Sequence, residues 1–234
     1  MKLRVTVVLG ILFLVSQVNA QEKPVLKNQK EKVSYSIGLN IGRNLGSDLK
    51  KQSIDIDPNS LARGIQDALS GANPLLSNEE IQETMVALQK EMAEKHKQQG
   101  DAFLSENKKK EGVKTLPSGL QYKVIKAGTG KKPKLNETVT VNYRGTLIDG
   151  TEFDSSFRRG QPVAFPVSGV IPGWTEAFPL MEEGAKWQLF IPPNLAYGER
   201  GAGGLIGPNA TLIFEVELIS VQENKQEKKQ ENKK

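Results

Sequence analysis

The chain has 234 residues, one histidine, no cysteine, a hydrophobic content of 37% and a formal net charge of +5. This is apolar material for one large or two small domains, and the absence of cysteine excludes disulfides, thiol catalysis and a lipid-anchoring cysteine. Lys2 and Arg4 account for two of the five charges, leaving +3, and residues 223–234 hold five Lys against three Glu. The body of the chain is therefore close to neutral and lacks the basic face that nucleic-acid binding needs.

Residues 1–20 have the layout of a secretory signal peptide. Lys2 and Arg4 form a charged start, Val5–Val18 is apolar, and Val18-Asn19-Ala20 places small residues at the cleavage positions. An apolar run of roughly 14 residues falls short of the ~20 that span a bilayer. The expected mature protein starts at Gln21, is exported, and has no transmembrane segment.

From Glu31 to about Lys110 the apolar period is helical. Val33, Ile37, Ile41, Leu45 and Leu49 form one stripe, and Gly38, Gly42 and Gly46 repeat at the same spacing on a neighbouring face. Glycine costs a helix about 1 kcal/mol relative to alanine, so three in register predict close approach of another backbone. Asp57-Pro58 starts a second helix with Leu61, Ile65 and Leu69 as its buried stripe, and Gly71 ends it. Ser77 and Glu80 form a capping box for a third, whose stripe is Ile81, Met85, Leu88 and Met92. Beyond Met92 the stripe decays into polar residues and returns partly at Phe103 and Leu104. The first half of this helix is expected to pack and the second half to cross solvent as a strut, with His96 solvated. Met85 and Met92 read as core or interface filler. Three helices in ~80 residues make a small core, so this region is expected to pair with a second copy of itself.

Asn107–Pro117 is charged and then turn-like, and marks a boundary. From Leu120 the period becomes two: Val139, Val141 and Tyr143 share a face, as do Ala185, Trp187, Leu189 and Ile191, and again Leu212, Phe214, Val216 and Leu218. Asp149-Gly150 is a hairpin turn. One short helix fits, from about Trp174 to Met181. The fold class is α+β: a helical amino-terminal domain with a long connecting helix, then an antiparallel sheet wrapped on one short helix. The predicted division is 1–20 signal peptide, 21–112 helical region, 113–222 sheet domain and 223–234 a disordered basic tail.

Aromatic and branched residues gather around one carboxylate and one phenol in Tyr143-Arg144-Gly145, Phe153-Asp154-Ser155-Ser156, Val170-Ile171-Pro172-Gly173-Trp174 and Ala196-Tyr197-Gly198. This set suits binding an apolar ring and rotating a bond. On the residues alone, Trp174 and Phe214 serve equally as ordinary core, Tyr143 and Tyr197 as buried hydrogen-bonders, and Asp154-Ser155-Ser156 as a turn cap. Other chemistry fits poorly. Gly128-Thr129-Gly130-Lys131 lacks the upstream glycine of a phosphate loop and Gly201, Gly203 and Gly204 make no dinucleotide fingerprint. One histidine without cysteine gives no zinc site, and its place on the helix argues against a Ser-His-Asp hydrolase.

Residues 143–156, 170–174 and 191–214, in that order, resemble the three signatures of the FKBP-type peptidyl-prolyl cis-trans isomerases. The helical half, with Tyr35-Ser36-Ile37-Gly38, resembles the dimerisation region of exported bacterial FKBPs of the macrophage infectivity potentiator type. The resemblance implies a prolyl isomerase without metal or cofactor. It implies Asp154 and Tyr197 as catalytic residues, and Tyr143, Phe153, Val163, Val170, Ile171, Trp174 and Phe214 as substrate-binding ones. Trp174 would be the floor under the proline ring, the Ile171 N–H and Tyr197 hydroxyl would hold substrate carbonyls, and Asp154 would meet the twisting carbonyl or orient Tyr143. Implied partners are proline-containing folding polypeptides in the periplasm, at the outer membrane or cell surface, or secreted, a second copy bound through the amino-terminal helices, and macrolide inhibitors. Many family members carry an aromatic residue where Val163 stands and a larger side chain where Ala202 stands, so a more open pocket and a more mobile 199–204 loop are expected. The alternative function is a non-catalytic chaperone or surface binding protein that uses the pocket only for docking.

Overall fold

A computed structural model describes residues 25–52 and 54–223. The predicted signal peptide lies outside the described residues, as does the basic tail from residue 224 onward. The chain divides into two compact units, residues 1–46 and 47–234, with the division inside the first helix.

That helix, α1, spans Gln29–Lys51. Val33, Ile37 and Ile41 are exposed, Ile37 by 55%, and a Cβ built on Gly38, Gly42 or Gly46 meets nothing within 4 Å. Leu45 and Leu49, the last two of the stripe, are half-buried; its first three residues and the glycine face are left open by the described residues. Helix α2 (Pro58–Ser70) is capped as predicted: Asp57 accepts from the Ser60 N–H at 2.6 Å, and Gly71 closes it in the left-handed region with φ 68°. Its expected buried stripe is not buried. Leu61 is half-buried, while Ile65 is exposed and Leu69 is 85% exposed; the buried residue is Asp67, held by Arg63 at 2.9 Å. Helix α3 (Asn78–Asn107) begins with the full capping box, Ser77 and Glu80 each accepting from the other's N–H at 3.2 and 2.7 Å. Its Ile81 and Met85 are likewise exposed. Caps are satisfied locally within one turn, so one chain suffices for them; a stripe needs a second surface.

The second half of α3 departs from the predicted strut. Gln121 donates through Nε2 to the Leu104 carbonyl at 2.9 Å and accepts through Oε1 from Asn107 Nδ2 at 3.0 Å, with both side chains buried. Phe103 lies 6.0 Å from Phe190, centroid to centroid. His96 is half-buried, with Nδ1 2.8 Å from the Pro208 carbonyl. The residues in contact (93, 96, 100, 103/104, 107) follow a three-four spacing, one face of a helix. That face is joined by polar and backbone contacts as much as by apolar ones.

Seven antiparallel strands form one sheet: β1 (Val113–Thr115), β2 (Gln121–Lys126), β3 (Thr138–Leu147), β4 (Glu152–Ser155), β5 (Val163–Pro166), β6 (Lys186–Ile191) and β7 (Leu212–Gln222). The order is β1-β2-β6-β7-β3-β4, with β5 also pairing β3. The ten-residue β3 carries β5 along its first half (138–141) and β4 along its second (144–146). Asp149-Gly150 closes the β3–β4 hairpin, the Leu147 N–H reaching the Thr151 carbonyl at 2.9 Å with Gly150 at φ 88°. All three predicted period-two faces are buried and form one core with Trp174, Ala177 and Phe178 of a helical segment between β5 and β6. That segment is α4 (Pro172–Ala177) followed by a 3-10 turn, Phe178–Leu180. It starts two residues before the predicted Trp174, because Pro172 supplies the fixed φ of a first helical position. Phe190, out of phase with its strand's core face, is buried as well, because α3 covers the opposite side.

Phe103→Ala should lower the stability of the sheet unit by about 1–3 kcal/mol, the range for partial loss of a packed aromatic. Urea denaturation followed by tryptophan fluorescence measures it, and an unchanged midpoint would show that α3 contributes nothing by lying there.

Candidate active site

A cavity of about 570 Å³ opens beside α4, between the β3–β4 hairpin, the 169–171 segment and the loop after Tyr197. Trp174 forms its floor. Helix α4 reaches the sheet because residue 173 is glycine: a Cβ there would lie 2.6 Å from Ile191 Cγ2. The approach places the Trp174 ring edge-to-face with Tyr143 (5.2 Å), Phe165 (5.8 Å), Phe178 (5.3 Å) and Phe214 (5.0 Å). These are favoured quadrupole geometries. The indole is only 4% exposed, and its Nε1 finds no hydrogen-bond partner among the described residues. Phe153 meets Phe214 edge-on at 5.4 Å and extends the wall. Val170, Ile171, Leu205 and Ile206 complete the apolar lining. No described group accepts from the Ile171 N–H, while the Ile171 carbonyl begins α4 by accepting from Trp174 N–H at 2.9 Å.

The polar edge is a triangle. The Tyr143 hydroxyl donates to Asp154 Oδ2 at 2.6 Å, Arg159 Nη1 donates to Asp154 Oδ1 at 2.6 Å, and Arg159 Nη2 donates to the Tyr143 hydroxyl oxygen. The guanidinium also stands over the Tyr143 ring, 5.3 Å from its centroid. The Ser155 N–H adds a third bond to the carboxylate at 2.8 Å. Burial alone would push the Asp154 carboxyl up, but the bonds from Tyr143 and Arg159 and the Arg159 charge together hold it below 3.8. Tyr143 is pushed up to about 12, first by burial and then by bonding to the carboxylate. Tyr197 is 40% exposed at the rim, and its phenol is raised by burial and by the nearby Asp154 charge. At neutral pH the edge is thus two phenols and one paired carboxylate.

The cavity brings together eight of the nine residues expected there; Val163 is absent from the lining. It pairs with Val141 across β5 and β3 and packs on the core. Phe165, two residues on and therefore on the same strand face, supplies the aromatic wall instead. Phe165 was legible in the alternation of β5, whereas Arg159, in the turn Phe157–Arg159, carried no sequence signal. Ala202 does line the cavity, but its loop is tied. Ala202 and Ile206 exchange backbone hydrogen bonds at 2.8 and 3.0 Å, and the Asn209 N–H reaches the Gly198 carbonyl at 2.8 Å. Two backbone bonds across a three-residue turn (203–205) restrain the segment that its glycine content had marked as mobile.

Residues 129–219 match the FKBP-type peptidyl-prolyl cis-trans isomerase family, and residues 30–124 match the domain amino-terminal to FKBP-type peptidyl-prolyl isomerase. The chain is 50% identical to the outer membrane protein MIP of Legionella longbeachae, over 94% of this chain and 97% of that one. This chain belongs to the FKBP-type peptidyl-prolyl cis-trans isomerases. The peptidyl-prolyl cis-trans isomerase Mip of Coxiella burnetii is 47% identical over 84% of this chain and 88% of its own. The crystal structure of FkpA from Escherichia coli superposes with a TM-score of 0.57 at 41% identity, covering 85% of this chain and 99% of that one. This FKBP is therefore an enzyme of the Mip-like kind, with helices first and the sheet domain second, and it accelerates rotation about X–Pro bonds.

The ionisation states of this FKBP's cavity set its pH response. With Asp154 held below 3.8 and Tyr143 raised to about 12, kcat/KM for an X–Pro peptide should be level from about pH 5 to about pH 9. Because Asp154 is depressed on folding, its contribution to stability is complete above the unfolded carboxylate value and is lost as pH falls through the lower folded one. A sloping profile across the neutral range, measured with a denaturation check at each pH, would contradict these assignments.

Proposed function

We propose that this enzyme works by binding the twisted X–Pro amide better than the planar one, with Trp174 under the proline ring and Asp154 and Tyr197 as its catalytic polar groups. The barrier is about 18–20 kcal/mol because rotation breaks amide resonance. The twisted carbonyl is less polar and less dependent on water than the planar one, so an apolar enclosure favours it, and differential binding of this kind lowers the barrier. In this reading Tyr143, Phe153, Val170, Ile171 and Phe214 enclose the ring, the Ile171 N–H donates to one substrate carbonyl and the Tyr197 hydroxyl to another. Asp154, already bound by Tyr143 and Arg159, presents a fixed dipolar edge to the rotating carbonyl and holds Tyr143 in place. The observation that carries this reading is the Trp174 floor, walled by four aromatic rings and edged by a fully engaged carboxylate.

The exported, envelope setting is part of the proposal, supported by the 1–20 segment and by a relative named as an outer membrane protein. So is the division at 112/113 between a dimerising helical region and the isomerase domain. A homodimer through the helices is supported by the exposed parts of the stripes of α1, α2 and α3 (Val33, Ile37 and Ile41, Ile65 and Leu69, Ile81 and Met85) and by the open glycine face of α1. The substrates in this setting are proline-containing polypeptides completing their folding.

Two measurements test these points. Tyr197→Phe should lower kcat/KM on an X–Pro peptide about fivefold, the worth of one hydrogen bond made in the transition state. Trp174→Ala should lower it further and cost about 3–5 kcal/mol of stability. Wild-type rates in both variants would remove the site. Gly42→Leu should turn a dimer into a monomer by sedimentation while leaving peptide turnover intact; a persistent dimer would move the interface off α1.

A further inference from the structure

The chain's only histidine lies on α3, outside the cavity, yet it touches the segment that follows the cavity wall. His96 Nδ1 is 2.8 Å from the Pro208 carbonyl oxygen. A carbonyl only accepts, so Nδ1 carries the proton. One turn earlier the Ala93 carbonyl accepts from Asn209 Nδ2 at 3.5 Å, and one turn later Gly100 sits where a Cβ would fall 2.3 Å from Thr211 Oγ1. A Cβ on Gly207 would lie 2.5 Å from His96 Cε1, so the imidazole rests directly on the 207 backbone. Asn209 takes φ 55°, the one positive φ outside glycine among the described residues, a conformation that asparagine tolerates better than most. Residues 207–211 are thus strapped to successive turns of α3. Residues 202–206, immediately upstream, supply Ala202, Gly203, Leu205 and Ile206 to the cavity wall.

We propose that His96 is a positioning residue for the prolyl isomerase site, fixing through the Pro208 carbonyl the loop whose Ala202–Ile206 bridge forms one wall of the cavity. This rests on the reading of that cavity as the reaction site. Mechanically, the wall is a short turn closed on itself by the 202–206 bonds, so its position depends on where its ends are held. The Asn209 N–H on the Gly198 carbonyl joins its two ends, and α3 holds the downstream one. Removing the His96 bond loosens that end, which keeps only its Asn209 and Thr211 contacts with α3, widens the cavity and weakens the hold on the twisted amide. The helix that carries the amino-terminal domain is then part of the catalytic framework.

The test uses the full chain with His96→Leu, which keeps bulk and removes the donor, and His96→Asn, whose Nδ2 can stand close to the place of Nδ1. In His96→Leu, exchange of the Ala202 and Ile206 amides should speed about tenfold while β6–β7 amides are unchanged, and kcat/KM should fall about fivefold. His96→Asn should restore most of both. Gly207→Ala, which presses on the ring from the other side, should repeat the loss and serves if His96→Leu fails to fold. Unchanged amide exchange in a folded variant would overturn the proposal. So would faster exchange with wild-type turnover where Trp174→Ala does reduce turnover. Wild-type turnover in Trp174→Ala as well would instead bring down the reading of the site, and the positioning role with it.

Discussion

Position 173 has room for a hydrogen atom and nothing larger. With Ile191 Cγ2 2.6 Å from where a Cβ would be, any other residue would lift α4 off the sheet. The indole that follows it in sequence would then leave its four aromatic neighbours. Those rings come from different parts of the chain: Tyr143 from β3, Phe165 from β5, Phe178 from the turn after α4 and Phe214 from β7. The floor of the cavity and the centre of the core are therefore the same object. Losing it removes binding and stability together, whereas groups at the rim, such as the Tyr197 hydroxyl, can be removed with less effect on the fold.

The edge of the cavity is organised differently. Asp154 is surrounded by donors it does not share with solvent-facing partners elsewhere: a phenol, a guanidinium and its neighbour's N–H. Each bond lowers the cost of keeping a carboxylate beside apolar walls. Arg159 is thereby tied into the site although it does not line the cavity. Its contribution passes through Tyr143, over whose ring it stands, and through the carboxylate it pairs.

The sheet and most of the cavity were legible because their residues announce themselves twice, by apolar type and by period two. Val139, Val141 and Tyr143, or Leu212, Phe214, Val216 and Leu218, leave no other face to bury. Trp174, Phe153 and Tyr197 stood within spacings that resemble a known family. What escaped reading was contact made without apolar side chains. The seat of α3 runs through His96, Gly100 and Asn107, and through the Ala93 and Leu104 carbonyls. A helix face built on backbone acceptors, a glycine and an imidazole has no hydrophobic period to detect, so it looked like a strut. The converse error concerned Ile65 and Leu69. Their spacing correctly gave a helix but could not say which chain would cover them, because period reports amphipathicity and not the identity of the partner. Val163 was misplaced for a third reason: alternation gives the face of a strand, not how far along that face a cavity begins.

The closed triangle of Tyr143, Asp154 and Arg159 has a consequence for encounter. Its one negative and one positive group cancel at contact distance, while the adjacent Glu152 is paired with both Arg144 at 2.7 Å and Arg158 at 3.1 Å, one carboxylate against two guanidiniums. This side of the cavity mouth therefore keeps one positive charge in excess. One exposed charge reaches only about 10 Å at ordinary ionic strength, so an approaching polypeptide feels a weak pull that salt removes, and its arrival depends mainly on diffusion and shape. Acidic segments around a proline are met slightly more readily than basic ones, and neither is refused, as suits an enzyme whose substrates share a bond and not a charge.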